Sequence, residues 1–205
     1  MSPLARLVFI GALATVLISC RSKTVPSEKE LVAYVNDEGN GLKKKIKAGD
    51  TDVTVTYRPT DLLVAQELRS SERADTIKVN NLRKKYRGYY YFVLGLSKND
   101  KEALHQTDGF GQYSELVQTL SFRMGDYVTL TTAASDTIPV GDFILDRTYG
   151  LSSSTNILFA FNRQKAIGKE WVQFNLNELG MGLGNLRLRF RSRDIVNVPS
   201  INFSK

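Results

Sequence analysis

The chain has 205 residues, 42% of them hydrophobic and 24% charged, which excludes an intrinsically disordered chain and a protein built of many membrane spans. That length fits one ordinary domain with a sizeable core rather than two. A net charge of +7 and a pI near 9.5 favour anionic partners, whether nucleic acid, anionic lipid headgroups or acidic glycans, without choosing among them.

The first element predicted is an export signal. Met1 to Arg6 carries one positive residue, Leu7 to Ile18 is an uninterrupted apolar run, and the small Ser19 follows. A bilayer span needs about 20 apolar residues, so a run of this length reads as a cleaved signal over residues 1–19. Leu17-Ile18-Ser19-Cys20 resembles the lipobox of bacterial lipoproteins: a large aliphatic residue three before a cysteine, with small residues usual between them. The resemblance implies that the Cys20 sulfur carries a diacylglyceryl group and that the new amino terminus is acylated (palmitate-type chains). Two or three chains, at about 0.8 kcal/mol per buried CH₂, anchor a protein durably where one does not. Cys20 is the only cysteine, so the mature domain is expected to hold no disulfide and no free thiol. Loss of Arg6 lowers the side-chain balance from +7 to +6.

Residues 20–32 are polar around Pro26 and read as the lipidated cysteine and a tether; residues 33–205 read as one mainly-β envelope domain. Leu42 to Lys47 and the strictly alternating Val53 to Tyr57, joined by Gly49-Asp50-Thr51-Asp52, predict a hairpin. After Pro59, Thr60 or Asp61 can cap a helix whose Leu62, Ala65 and Leu68 share a face, and Ala74 to Arg87 predicts a second helix. Tyr89 to Leu96 is apolar at even and odd positions alike, which predicts a central strand covered on both faces. Gln112 to Leu116 reads as a short helix. Strands are predicted at Leu120 to Met124, Tyr127 to Thr132, Asp142 to Tyr149, Asn156 to Asn162, Trp171 to Leu176 and Leu186 to Arg191. The expected fold class is α+β: a mainly antiparallel β-sheet or sandwich with two or three helices. YRPTDLLVAQEL, FILDRTYGLSSSTNILFAF and FNLNELGMGLGNLRLRF resemble the body of uncharacterised outer-membrane lipoproteins of Bacteroidetes-type bacteria, a resemblance that implies a location and no activity.

Several motifs invite chemistry. Asn36 to Gly41 looks like the start of a calcium loop, but the twelfth position, where a bidentate glutamate belongs, is Lys47, so a polar turn is expected. Gly180-Met181-Gly182-Leu183-Gly184-Asn185 resembles a phosphate-cradling loop, yet Asn185 stands where the third glycine belongs and a strand follows, so a tight connection is expected. His105, the only histidine, lies in a polar segment read as a surface loop, and Ser152, Ser153 and Ser154 read as a turn without nucleophile-elbow glycines. Asp142 and Asp146 share one side of a strand, which fits a solvated face better than a glycosidase pair. These readings predict no catalytic residue, no metal site and no cofactor.

Leu186-Arg187-Leu188-Arg189-Phe190-Arg191, continued by Arg193, puts the apolar residues on one face and Arg187, Arg189, Arg191 and Arg193 in a row on the other, about 6.6 Å apart. A solvated edge face and an anion or partner surface are both open for that row. The expected function is a non-catalytic binding module, anchored to the membrane through Cys20, whose partner is an envelope protein or an anionic envelope polymer; nucleic acid is not expected for an exported protein. The alternatives are a structural subunit of a secretion, transport or surface-assembly complex, marked by a large exposed apolar patch, and a carboxylate-dependent hydrolase. Arg21 after the cysteine, and the lack of early acidic residues, favour the outer membrane facing the periplasm.

Overall fold

The computed structural model describes residues 23–69, 75–107 and 109–203; Cys20, the lipobox and the export segment lie outside them. In chain order the elements are β1 (Thr24–Val25), α1 (Glu28–Asn36), β2 (Lys43–Ala48), β3 (Thr51–Tyr57), α2 (Thr60–Arg69), α3 (Thr76–Tyr86), β4 (Tyr89–Lys98) and β5 (Lys101–Glu102). Then come α4 (Phe110–Gln118), a π turn at Thr119–Arg123, α5 (Met124–Tyr127), β6 (Val128–Thr132), β7 (Thr137–Pro139), β8 (Asp142–Asp146) and β9 (Thr155–Asn162). The last elements are β10 (Trp171–Leu176), β11 (Leu186–Arg191), α6 (Ser192–Val196) and β12 (Ser200–Ile201).

The fold is α+β. A larger antiparallel sheet of order β2-β3-β4-β9-β8, with β5 beside β4, packs against a smaller antiparallel sheet of order β11-β10-β6-β7. Alternation decides which side chains go between them. In β3 the odd-numbered Val53, Val55 and Tyr57 are buried, and in β11 Leu188 and Phe190 are buried while the arginines point out. The interior is aromatic: Phe92 on β4 meets Phe174 on β10 at 5.9 Å and Phe190 on β11 at 5.0 Å, and Phe159 on β9 meets Phe174 at 5.7 Å. These cross-sheet rings join the layers, each fully buried phenylalanine contributing about 1.5–3 kcal/mol. β4 lies centrally, as its two-sided apolar pattern predicts.

Three expectations change. Lys23 onward is built into the domain rather than forming a tether: β1 pairs in parallel with β12, and α1 begins at Glu28. Ser27 accepts the Glu30 N–H as an N-cap, and Leu31 and Val35, four residues apart, are both buried. Leu120 to Met124 is helical, because Leu116, Leu120 and Met124 recur every fourth residue and are all buried, whereas Phe122, which a strand would bury with Leu120, is 74% exposed. With α1, α5 and α6 added, the α-helices number six among the described residues, more than the two or three expected. No helix among the described residues is long and apolar enough to cross a membrane.

Candidate functional site: a cationic edge

The arginine row lies where the period-two reading places it, on an edge strand. Arg187, Arg189 and Arg191 point outward from β11, opposite Asn175, Gln173 and Trp171 of β10. The Arg189 guanidinium stacks 3.8 Å from the centre of the Trp171 ring and donates to Gln173 Oε1 at 3.2 Å. Gln173 Nε2 donates to Asn175 Oδ1 at 2.9 Å, and the Asn175 amide reaches the Thr129 and Thr131 hydroxyls at 3.3 Å each. This outer face is therefore a cross-linked polar surface with guanidiniums along its edge, held in place by the sheet.

Arg193 departs from the row. The strand ends at Arg191 and Arg193 falls on α6, where it and Arg191 flank one carboxylate: Asp194 lies 2.8 Å from Arg191 Nε and 3.6 Å from Arg193 Nε. Gly41, at φ +72°, lets β2 start close to that carboxylate; a Cβ there would sit 2.5 Å from Asp194 Oδ2.

Tertiary structure brings one lysine of β2 to β11. On β2, the edge strand of the larger sheet, Lys44 Nζ lies 6.0 Å from the centre of the Phe190 ring of β11. Lys43, Lys45 and Lys47, opposite Thr56, Thr54 and Asp52, point instead from the outer face of the larger sheet, whereas the arginine row lies on the outer face of the smaller one. Lys45 pairs with Asp52 at 3.2 Å and Lys43 donates to Asn36 at 3.2 Å. Among the described residues, Arg187 and Lys47 face solvent without an ion pair. Exposed pairs of this kind are worth at most about 1 kcal/mol, so an anionic ligand can replace them cheaply. The run KKKIK shows a cationic strand in the sequence, but that Lys44 meets Phe190 depends on sheet packing.

The remaining sequence candidates have structural occupations. The glycine-rich loop does form an anion cradle, filled by its own carboxylate: Glu178 accepts the N–H groups of Met181 at 2.7 Å, Gly182 at 2.9 Å and also Gly184. Burial pushes this carboxyl up, but those backbone donors together hold it below the ordinary glutamate range. His105 lies in a short helical turn rather than an open loop and meets Glu102 at 3.3 Å. Glu102 is 3% exposed and accepts the N–H groups of Gly150 and Ser152, each at 3.0 Å, and the Thr148 hydroxyl. Burial pushes it up too, and these donors with His105 bring it net below the ordinary value. Its work is to fix residues 148–152, where Tyr149 takes φ +51°.

Asp142 and Asp146 do share one side of β8, both exposed on the outer face of an edge strand. Four residues of strand separate them by about 13 Å, wider than either glycosidase carboxylate geometry. Residues 36–41 form a helix end and a short turn in which Asp37 accepts the Gly39 N–H, and no metal-ligating cluster occurs among the described residues.

No protein-family model matches the chain, and no curated protein matches it. One solved structure is similar to it: a protein of unknown function from Burkholderia pseudomallei, 11% identical, with 82% of this chain and 87% of that one covered and a TM-score of 0.39. Neither a fold nor a role is carried over at that level of likeness.

Proposed function

We propose that this protein is a lipid-anchored module of the bacterial envelope, held by Cys20 at the outer membrane facing the periplasm, that binds an anionic envelope polymer or protein without catalysing a reaction on it. The observation that carries the reading is the arginine edge of β11, where Arg187, Arg189 and Arg191 stand in a row ordered by the Arg189–Trp171 stack. Such a row offers bidentate guanidinium contacts to carboxylate or phosphate and fits a linear polyanion along β11. The route of the chain fits anchoring. Lys23 enters beside β12 near Asp61, at the end of β3, whereas Glu102 and its loop lie at the other end of β4, away from the tethered end. Replacing Arg187, Arg189 and Arg191 together with Gln should weaken binding to anionic envelope components at least tenfold and flatten its salt dependence; unchanged binding would return the row to a solvated face.

A second reading, a subunit of an envelope assembly, is supported by apolar exposure around the distal loop. Phe110 is 83%, Tyr149 76% and Leu151 92% exposed, and Tyr149 lines a small hollow with Tyr113 and Val117 of α4. Cross-linking in the intact envelope separates the two: a partner captured through Tyr149 and Leu151 supports the assembly, and one captured through β11 supports the binding module.

A further inference from the structure

The outer face of the larger sheet carries a feature independent of the cationic edge. Register aligns Val93 of β4, Leu158 of β9 and Ile144 of β8 side by side across three strands, an apolar stripe on a face whose next row, Thr54, Asn156 and Asp146, is polar. Ile144 is 65% exposed at the open end of the stripe. A hollow of about 430 Å³ lies over it, closed at the α2 end by Arg58 and Gln66.

Arg58 is the unusual member. Its backbone N–H bonds Tyr91 O at 2.8 Å, and its Nη2 donates to Gln66 Oε1 at 2.9 Å. Its Nε is buried without a hydrogen-bond partner, and no carboxylate among the described residues lies within ion-pair distance of the guanidinium. A half-buried cation without a counter-charge is costly unless an anion completes it; the enclosed Nε stays out of reach, so a ligand in the hollow meets the guanidinium at its terminal nitrogens. Burial accordingly pushes the guanidinium below its ordinary value, while Glu28, which is engaged by Arg69, and Asp146 at the rim act on it only at a distance.

We infer that this hollow binds a small amphipathic anion, its carboxylate on Arg58 and its aliphatic body along Val93, Leu158 and Ile144. The chemistry matches at both ends: the cation lacks its counter-charge, and the stripe lacks a cover. A neutral chain would leave the guanidinium unpaired, and a bare anion would leave the stripe in water. Asp146 at the open rim repels a second negative group, so the ligand carries its charge at one end only.

The test uses the full chain in non-ionic detergent, photo-labelled with a diazirine-bearing octanoate and separately with the matching octanol, the labelled residues being located by mass spectrometry. Octanoate should label β4, β8 and β9 around Val93, Ile144 and Leu158, and octanol should label them at least tenfold less. Arg58→Met should remove that preference. Ile144→Glu, at an exposed position that cannot unfold the sheet, should lower octanoate labelling at least fivefold. Equal labelling by acid and alcohol, or unchanged labelling in Arg58→Met, would overturn the inference. So would full protection by inorganic phosphate at the concentration of octanoate, which would make the site one for bare anions. Free octanoate should compete with the probe, and its failure to do so would overturn the site; phosphatidylglycerol in the same detergent micelles competing as well would make the source a lipid, and its failure to compete a free acid.

Discussion

Arg83 grips Asp61 through two parallel bonds, Nε to Oδ1 at 2.7 Å and Nη2 to Oδ2 at 2.6 Å, and both residues also hold the last strand. Asp61 Oδ2 accepts the Ile201 N–H at 2.7 Å, while Arg83 Nη2 donates to the Ile201 carbonyl at 2.9 Å. A carboxylate in the first turn of α2 and a guanidinium of α3 thereby fix β12, which pairs in parallel with β1 at Thr24–Val25. The Arg83 guanidinium is accordingly held even further above neutrality than usual by Asp61.

Removing one partner should cost more than removing both. Asp61→Ala is expected to destabilise by about 3 kcal/mol, since it strands a part-buried guanidinium and a backbone N–H. Asp61→Leu with Arg83→Met should recover part of that loss. Urea unfolding of the two variants decides: an equal cost would show that the pair acts independently of its burial.

Glu102 sets part of the acid limb of stability. Its folded carboxyl titrates below the ordinary value of 4.5, so the folded state takes up the proton at lower pH than the unfolded chain does. The stabilisation is complete above the ordinary value and is lost as pH falls through the folded one. Glu102→Gln should cost about 2 kcal/mol at neutral pH, because buried hydrogen bonds to a charged acceptor are replaced by weaker ones. Its stability should also fall less steeply on acidification, measured by thermal melts across pH.

Glu178 organises residues 180–184 from inside their own loop. In Glu178→Ala the N–H groups of Met181, Gly182 and Gly184 lose their acceptor. Amide exchange there should quicken at least tenfold while β10 and β11 keep their protection. Unchanged exchange would mean that the backbone conformation, rather than the carboxylate, holds the loop.

Cys20→Ala should release the protein from the membrane fraction and abolish labelling by a radioactive fatty acid. Retained labelling would remove the anchor from the proposed function, while the chemistry of the arginine row on β11 would stand.

Local patterning determined much of this protein. Alternation in Val53 to Tyr57 and Leu186 to Phe190 fixed which side chains face the interior, and the two-sided apolar run of Tyr89 to Leu96 marked the central strand, because a pleat has a period of two in any fold. The capping pattern Ser27-Glu28-Lys29-Glu30 and the every-fourth-residue spacing of Leu116, Leu120 and Met124 were also present in the sequence, although a polar composition at the first site and a short apolar run at the second suggested tether and strand. Tertiary structure decided the rest. That Lys44 lies over Phe190, that Glu178 fills its own cradle, that Arg83 meets Asp61 and that Val93, Leu158 and Ile144 align across three strands all depend on strand order and loop closure. Those relationships join residues far apart in sequence, where no local period can express them.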